Sequence, residues 1–213
     1  MKKILLVHTR YRITGGEDIA VDNEILALKK AYDVEALIFS NNEIDNIFKQ
    51  IIYFLINKNS QSDKLLKNKL NSFKPDLVYI HNTWFKASLG IFRLLKKHNT
   101  KFVIKLHNYR FECGRFFFKT SHLKGNSLCS ACGYHKTDTF LFNKYFKDSY
   151  IKSLLLIIYC KQYYKILKSS NVLTLSNFQK QYLINDGFDS KNLKILHNPL
   201  NINRDDNNQK SIN

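Results

Sequence analysis

Six short runs rich in branched apolar residues, at positions 3 to 8, 34 to 39, 77 to 81, 102 to 106, 172 to 175 and 193 to 197, constrain this chain more than any other feature. Helix-like stretches separate them. Strands that alternate with helices pair in parallel through crossovers, so the pattern predicts an α/β fold built on a doubly wound, mostly parallel sheet. Between the first two runs, Thr14 and Glu17 have capping-box spacing ahead of a helix through Ile25, Leu26 and Leu28. That places Gly15 and Gly16 in a strand-to-helix turn. Residues 43 to 57 and 62 to 73 read as two helices, the second carrying Leu66, Leu70 and Phe73 on one face before Pro75 ends it. An apolar content of 44% in 213 residues is enough for one core of ordinary size. Residues 1 to 200 are expected to form that domain, and residues 201 to 213 a polar tail or linker stub.

The rhythm breaks once. Residues 107 to 138 hold three cysteines and show no convincing period, which marks a cysteine-containing insertion ahead of a helical stretch from about 139 to 168. Aromatic and basic residues alternate through Phe140, Phe142, Lys144, Tyr145, Phe146, Lys147, Tyr150 and Lys152. Such a helix is suited to burial on the sheet or to peripheral contact with an anionic membrane. The longest apolar run, Leu154 to Cys160, falls far short of the roughly 18 residues that span a bilayer. The opening Met1-Lys2-Lys3 leads into Ile4 to Val7, and His8-Thr9-Arg10 ends that run too early for a signal peptide, so a cytoplasmic location is expected. In that reducing compartment the four cysteines are thiols or metal ligands before they are disulfides. A formal charge of +17 favours phosphates, lipid head groups or nucleic acid, although lysines spread through the chain also describe a solvated surface.

Ligands of open parallel sheets bind beyond the carboxyl ends of the strands, where loops meet helix N-termini. His8, His81, His107 and His197 all end apolar runs there, with Asn82, Asn108 and Asn198 beside them. Such a row suits a sugar or a phosphate, and it is also what strands emerging into solvent look like. Gly15 and Gly16 fit either a turn that needs positive φ or a close approach of a diphosphate to backbone amides. The three spaced glycines of a dinucleotide fingerprint are absent, which speaks against an NAD enzyme. Cys113, Cys129 and Cys132, with His122 or His135 as a fourth ligand, could hold a structural zinc or remain thiols. Cys160, inside an apolar run, reads as core.

The order of Ile4 to Val7, Gly15-Gly16-Glu17, Lys74-Pro75-Asp76-Leu77-Val78-Tyr79-Ile80-His81-Asn82 and Leu106-His107-Asn108-Tyr109-Arg110 resembles glycosyltransferase family 4. Leu173 to Phe178 and Lys194 to Leu200 are similar to the last two landmarks of that family's first domain. The resemblance covers nearly all of residues 1 to 200. It implies the Rossmann-like N-terminal domain of a GT-B enzyme that performs retaining transfer from a nucleotide sugar to a glycan or lipid-linked acceptor, with no cofactor required for transfer. On that basis Gly15 and Gly16 would approach the donor diphosphate and His107 would lie beside the transferred sugar. His81, Asn82, Asn108, Tyr109 and Arg110 would line the acceptor side, Arg110 as a phosphate holder. Some members carry a cysteine cluster after the His107-like motif, which implies Cys113, Cys129, Cys132 and His135 as its counterpart here.

The family's second domain holds the nucleotide sugar through two glutamates separated by seven residues. Glu35 and Glu43 have that spacing but flank the second apolar run, outside the strand-turn-helix context the family uses, and the match reads as accidental. A half enzyme is therefore expected, inactive alone, either truncated or completed by a separately encoded C-terminal half. The competing class is a basic module that binds nucleic acid or a membrane surface.

Overall fold

The computed structural model describes residues 1–43, 46–112 and 149–199. Six strands are joined there into a single all-parallel sheet: β1 (Lys3–Arg10), β2 (Asp33–Ser40), β3 (Leu77–Ile80), β4 (Phe102–Leu106), β5 (Val172–Thr174) and β6 (Leu193–Ile195). Their order across the sheet is β2-β1-β3-β4-β5-β6. All six apolar runs of the sequence become strands, because branched side chains fit a pleat buried on both faces. The helices are α1 (Gly16–Leu28), α2 (Ile47–Leu55), α3 (Ser60–Phe73), α4 (Gly90–Lys97), α5 (Tyr150–Lys168) and α6 (Asn177–Asn185). The Rossmann-like α/β architecture expected from the sequence is the one observed.

The two faces are covered unequally. The crossover from β1 to β2 runs in the opposite direction along the sheet to every other crossover, so right-handed connections place α1 on its own face. Ile4, Leu6, Val34 and Tyr79 pack there with Val21 of α1. The other face takes the larger core, in which Leu5, Val7, Ile80 and Ile104 meet Leu66 and Leu70 of α3, Leu95 of α4, Leu156 of α5 and Leu183 of α6. Strand order reverses between β1 and β3, and it is beyond the carboxyl ends at such a reversal that parallel sheets form a ligand crevice.

The start of α1 differs from expectation. Gly15, not Thr14, is the N-cap, and the side chain of Asp18, not Glu17, returns to accept the Gly15 N–H at 2.9 Å. The physical reason is that the buried His8 ring binds Asp18 at 2.8 Å and fixes that carboxylate at the cap. Glu17 is thereby turned toward the crevice.

Candidate functional site

Three segments leaving the sheet edge supply the crevice. After β1 come Tyr11 and the start of α1; after β3 comes a loop carrying Trp84; after β4 come His107 to Arg110. Neither Gly15 (φ −120°) nor any residue of the turn needs a glycine dihedral, because Gly187 is the only described glycine with positive φ. A Cβ at Gly15 or Gly16 would meet nothing within 4 Å. The turn explanation is thus removed, and what the pair leaves is open space over a helix N-terminus whose first-turn amides have no partner within the helix, the Gly15 N–H being taken by Asp18.

On the same sheet edge lies Arg110, after β4. Its guanidinium carbon sits 5.0 Å from the Tyr11 ring centroid and 4.5 Å from that of Trp84. Nε and Nη1 are buried and have no hydrogen-bond partner. Two rings stabilise the cation, and neither Nε nor Nη1 spends its hydrogens among the described residues, so the charge is held in place there by stacking and not by an ion pair. The backbone is fixed on both sides: Arg110 N–H donates to Asn108 Oδ1 at 3.0 Å, and the buried Cys160 thiol donates to the Arg110 carbonyl at 3.0 Å.

Beside Arg110 is a hydrogen-bonded group built around the Glu17 carboxyl. Glu17 Oε2 accepts from Tyr11 Oη at 2.9 Å and from Asn108 Nδ2 at 3.0 Å. Burial pushes the Glu17 carboxyl up, against the pull of His8, Tyr11, Arg110 and Asn108. Burial, and then the neighbouring Glu17, raise the Tyr11 phenol. The pair forms a hydrogen-bonding wall, with the Tyr11 hydroxyl donating to the Glu17 carboxyl.

Beneath this wall, on the α1 face, runs a buried polar chain. Lys105 is fully buried on β4 and its Nζ donates to Glu24 Oε1 at 3.0 Å, Glu24 Oε2 at 2.8 Å and the His197 carbonyl at 3.4 Å. Tyr79 Oη donates to Glu24 Oε1 at 2.6 Å. His81 Nδ1 meets His107 Nε2 at 2.8 Å, with ring centroids 5.1 Å apart. Burial, reinforced by the Lys105 and His8 charges, brings His107 down to about 3. His81 is lowered well below its ordinary value, first by burial and then by His107 and His8. Both imidazoles are neutral at physiological pH, so His107 can make hydrogen bonds to a ligand but is no proton donor of the imidazolium kind.

His8, His81, His107, Asn108 and Arg110 are thus brought to one edge. Asn82 lies there too, but its side chain is consumed within the chain: Nδ2 donates to the Thr9 carbonyl at 2.8 Å and Oδ1 accepts from Trp84 N–H at 2.9 Å. Tyr109 turns its ring onto Tyr182, with centroids 5.3 Å apart. The His197 side chain is exposed, and only its carbonyl joins the network. The proposed zinc ligands Cys113, Cys129, Cys132 and His135, with His122, lie outside the described residues, as does the aromatic-basic stretch before Ser149. Among the described residues no group of three or more metal-ligating side chains forms.

Sequence reasoning passed over Tyr11, Glu17, Trp84, Glu24 and Lys105. A signal existed for one of them: a lysine between Ile104 and Leu106, inside an apolar strand, requires a buried carboxylate as partner. Which carboxylate, nothing local could reveal. No protein family and no curated protein matches this sequence.

Proposed function

We propose that this domain is the acceptor-side wall of a retaining glycosyltransferase, facing a donor-binding domain that supplies the rest of the nucleotide-sugar site. The transfer would extend a surface glycan such as lipopolysaccharide, capsule or exopolysaccharide. The observation that carries the reading is Arg110, clasped by Tyr11 and Trp84 with Nε and Nη1 unpaired, at a switch-point crevice that also contains an open glycine-bounded helix N-terminus. Arg110 would hold a phosphate of the acceptor, the open turn at Gly15 and Gly16 would let the donor diphosphate approach the start of α1 beyond the Gly15 N–H that Asp18 holds, and neutral His107 would orient the transferred sugar. Glu17 would bind a hydroxyl of the acceptor, and Asn108, whose amide is engaged by Glu17 and the Arg110 N–H, would line that side and hold the carboxyl in place.

Trp84 is the single tryptophan of the chain, so its fluorescence reports on the crevice directly. Titration with nucleoside-diphosphate sugars and with lipid-linked or soluble sugar phosphates is expected to give a saturable change. Arg110→Lys, which keeps the charge but loses the planar fork, is expected to weaken sugar-phosphate binding about tenfold or more. Absence of saturable binding to every sugar phosphate tested would overturn the reading. Sugar transfer is then assayed with the donor-binding domain present.

The location that fits this reading is the inner surface of a membrane bearing lipid-linked acceptors. No described helix is long and apolar enough to cross a membrane. The packed pair α2 and α5 nevertheless exposes Phe48, Ile51, Ile52 and Leu55 on one helix and Ile151, Leu154 and Ile158 on the other. Exposed Lys49, Lys152 and Lys161 lie among them. An apolar stripe with a basic surround is suited to shallow insertion among anionic head groups. Flotation with anionic vesicles, reduced by neutral lipid and by Ile52→Asp, is the expected result. Tighter, salt-sensitive binding to RNA or DNA than to such vesicles would favour the nucleic-acid alternative.

A further inference from the structure

Between Glu24 and the crevice stands a pair of neutral histidines whose protons are not free to choose their places. His81 Nδ1 and His107 Nε2 are 2.8 Å apart, so one nitrogen carries the proton and the other accepts it. The opposite nitrogen of His81, Nε2, is buried without a hydrogen bond and faces Glu24 Oε2 at 3.9 Å. If His81 carried its proton on Nδ1, a bare lone pair on Nε2 would point toward that carboxylate. With the proton on Nε2 the N–H dipole points at the negative charge instead, in surroundings where dielectric screening is weak. Lys105 does not offset this preference by donating to His81, because its three donors go to the two Glu24 oxygens and the His197 carbonyl. His8 meets His81 edge-on, with centroids 6.2 Å apart, and its Nε2 is bound to Asp18.

We propose that Glu24 is a positioning residue that acts through His81 to set the tautomer of His107. Glu24 holds the His81 proton on Nε2, His81 Nδ1 accepts from His107 Nε2, and His107 Nδ1 is left bare. The half-buried His107 then presents an acceptor, not a donor, to the crevice. Under the sugar-binding reading above, on which this consequence rests, that nitrogen accepts a hydrogen bond from a hydroxyl of the ligand. The pair moves no proton during the reaction; it fixes which partner a ligand must bring.

The test is nitrogen-15 NMR of the imidazoles in the full chain at neutral pH, with the two signals assigned by His81→Gln and His107→Gln. Protonation of His107 at Nε2 with a bare Nδ1 is expected. A wild-type spectrum with the His107 proton on Nδ1 overturns the proposal and needs no variant to fold. In Glu24→Met combined with Lys105→Met, which removes both charges at similar volume, loss of the tautomer preference is expected, and an unchanged preference in the folded double variant also overturns it. Trp84 fluorescence reads sugar binding separately. A chain with the expected tautomer that binds no sugar phosphate removes the proposed function and leaves the relay standing.

Discussion

His107 ties the site to the acid stability of the chain. Its folded value near 3 lies below the ordinary histidine value of 6.5. Between those values the unfolded chain binds more protons than the folded one, so this group's contribution is complete above the unfolded value and is lost as pH falls through the window. Urea unfolding of wild type and His107→Gln at about pH 7 and about pH 4 is expected to show the shallower acid loss in the variant. Glu17, whose carboxyl is raised, runs the other way and is common to both proteins. The glycines provide a separate contrast. Neither Gly15→Ala nor Gly16→Ala meets an atom or needs an unusual dihedral; Gly16→Ala, inside α1, should leave stability unchanged or raise it by up to about 1 kcal/mol, whereas Gly15→Ala, at the N-cap where alanine is disfavoured, should cost up to about 1 kcal/mol. Weakened nucleotide-sugar binding in the same variants would show that the open space serves a ligand; unaltered binding would remove the glycine turn from the site.

At the scale of elements, the loop after β3 shows how the scaffold holds Trp84. Phe85 and Ser88 have φ of 67° and 65°, a left-handed backbone that non-glycine residues adopt at a cost. Fully buried Asn59 holds this loop while capping α3: Oδ1 accepts from Gln61 and Ser62 N–H, and Nδ2 donates to the Lys86 carbonyl at 2.7 Å. The Ser62 hydroxyl reaches the same carbonyl at 3.0 Å. Asn59→Ala removes a cap and leaves a buried carbonyl with one donor fewer, an expected loss of about 2–4 kcal/mol measured by denaturant unfolding. Because the loop carries Trp84, the variant should also shift the tryptophan emission toward that of a more exposed ring. Loss of stability without that shift would mean that Asn59 serves α3 alone.

Across the whole molecule, Glu24 and Lys105 tie α1 to β4 and, through the His197 carbonyl, to the segment after β6. Both side chains are almost wholly excluded from water. Lys105→Met alone leaves Glu24 as a buried carboxylate with Tyr79 as its remaining close donor, and is expected to cost about 3–5 kcal/mol. Glu24→Met with Lys105→Met should cost clearly less than the single change, because a matched apolar pair leaves no uncompensated charge. Equal losses in the single and double variants would show that the ion pair itself supplies the stability.

Sequence alone determined the sheet and its crossovers. The branched apolar runs at Ile4 to Val7, Val78 to Ile80 and Ile104 are local signals, as is the spacing of Leu66, Leu70 and Phe73, and periodicity is a property of neighbours in the chain. It also placed His8, His81, His107 and His197 at one edge, since parallel strands present their carboxyl ends together. Tertiary structure alone decided which of these groups remain available to a ligand. Asn82 is spent on Thr9 and Trp84, while Arg110 is clasped by rings 99 and 26 residues away in sequence. Glu24 finds Lys105 across 81 residues. Hydrogen bonds and ring contacts act over a few ångströms, so the partner of a polar side chain is fixed by which strands and helices become neighbours, and no local pattern of residues encodes that.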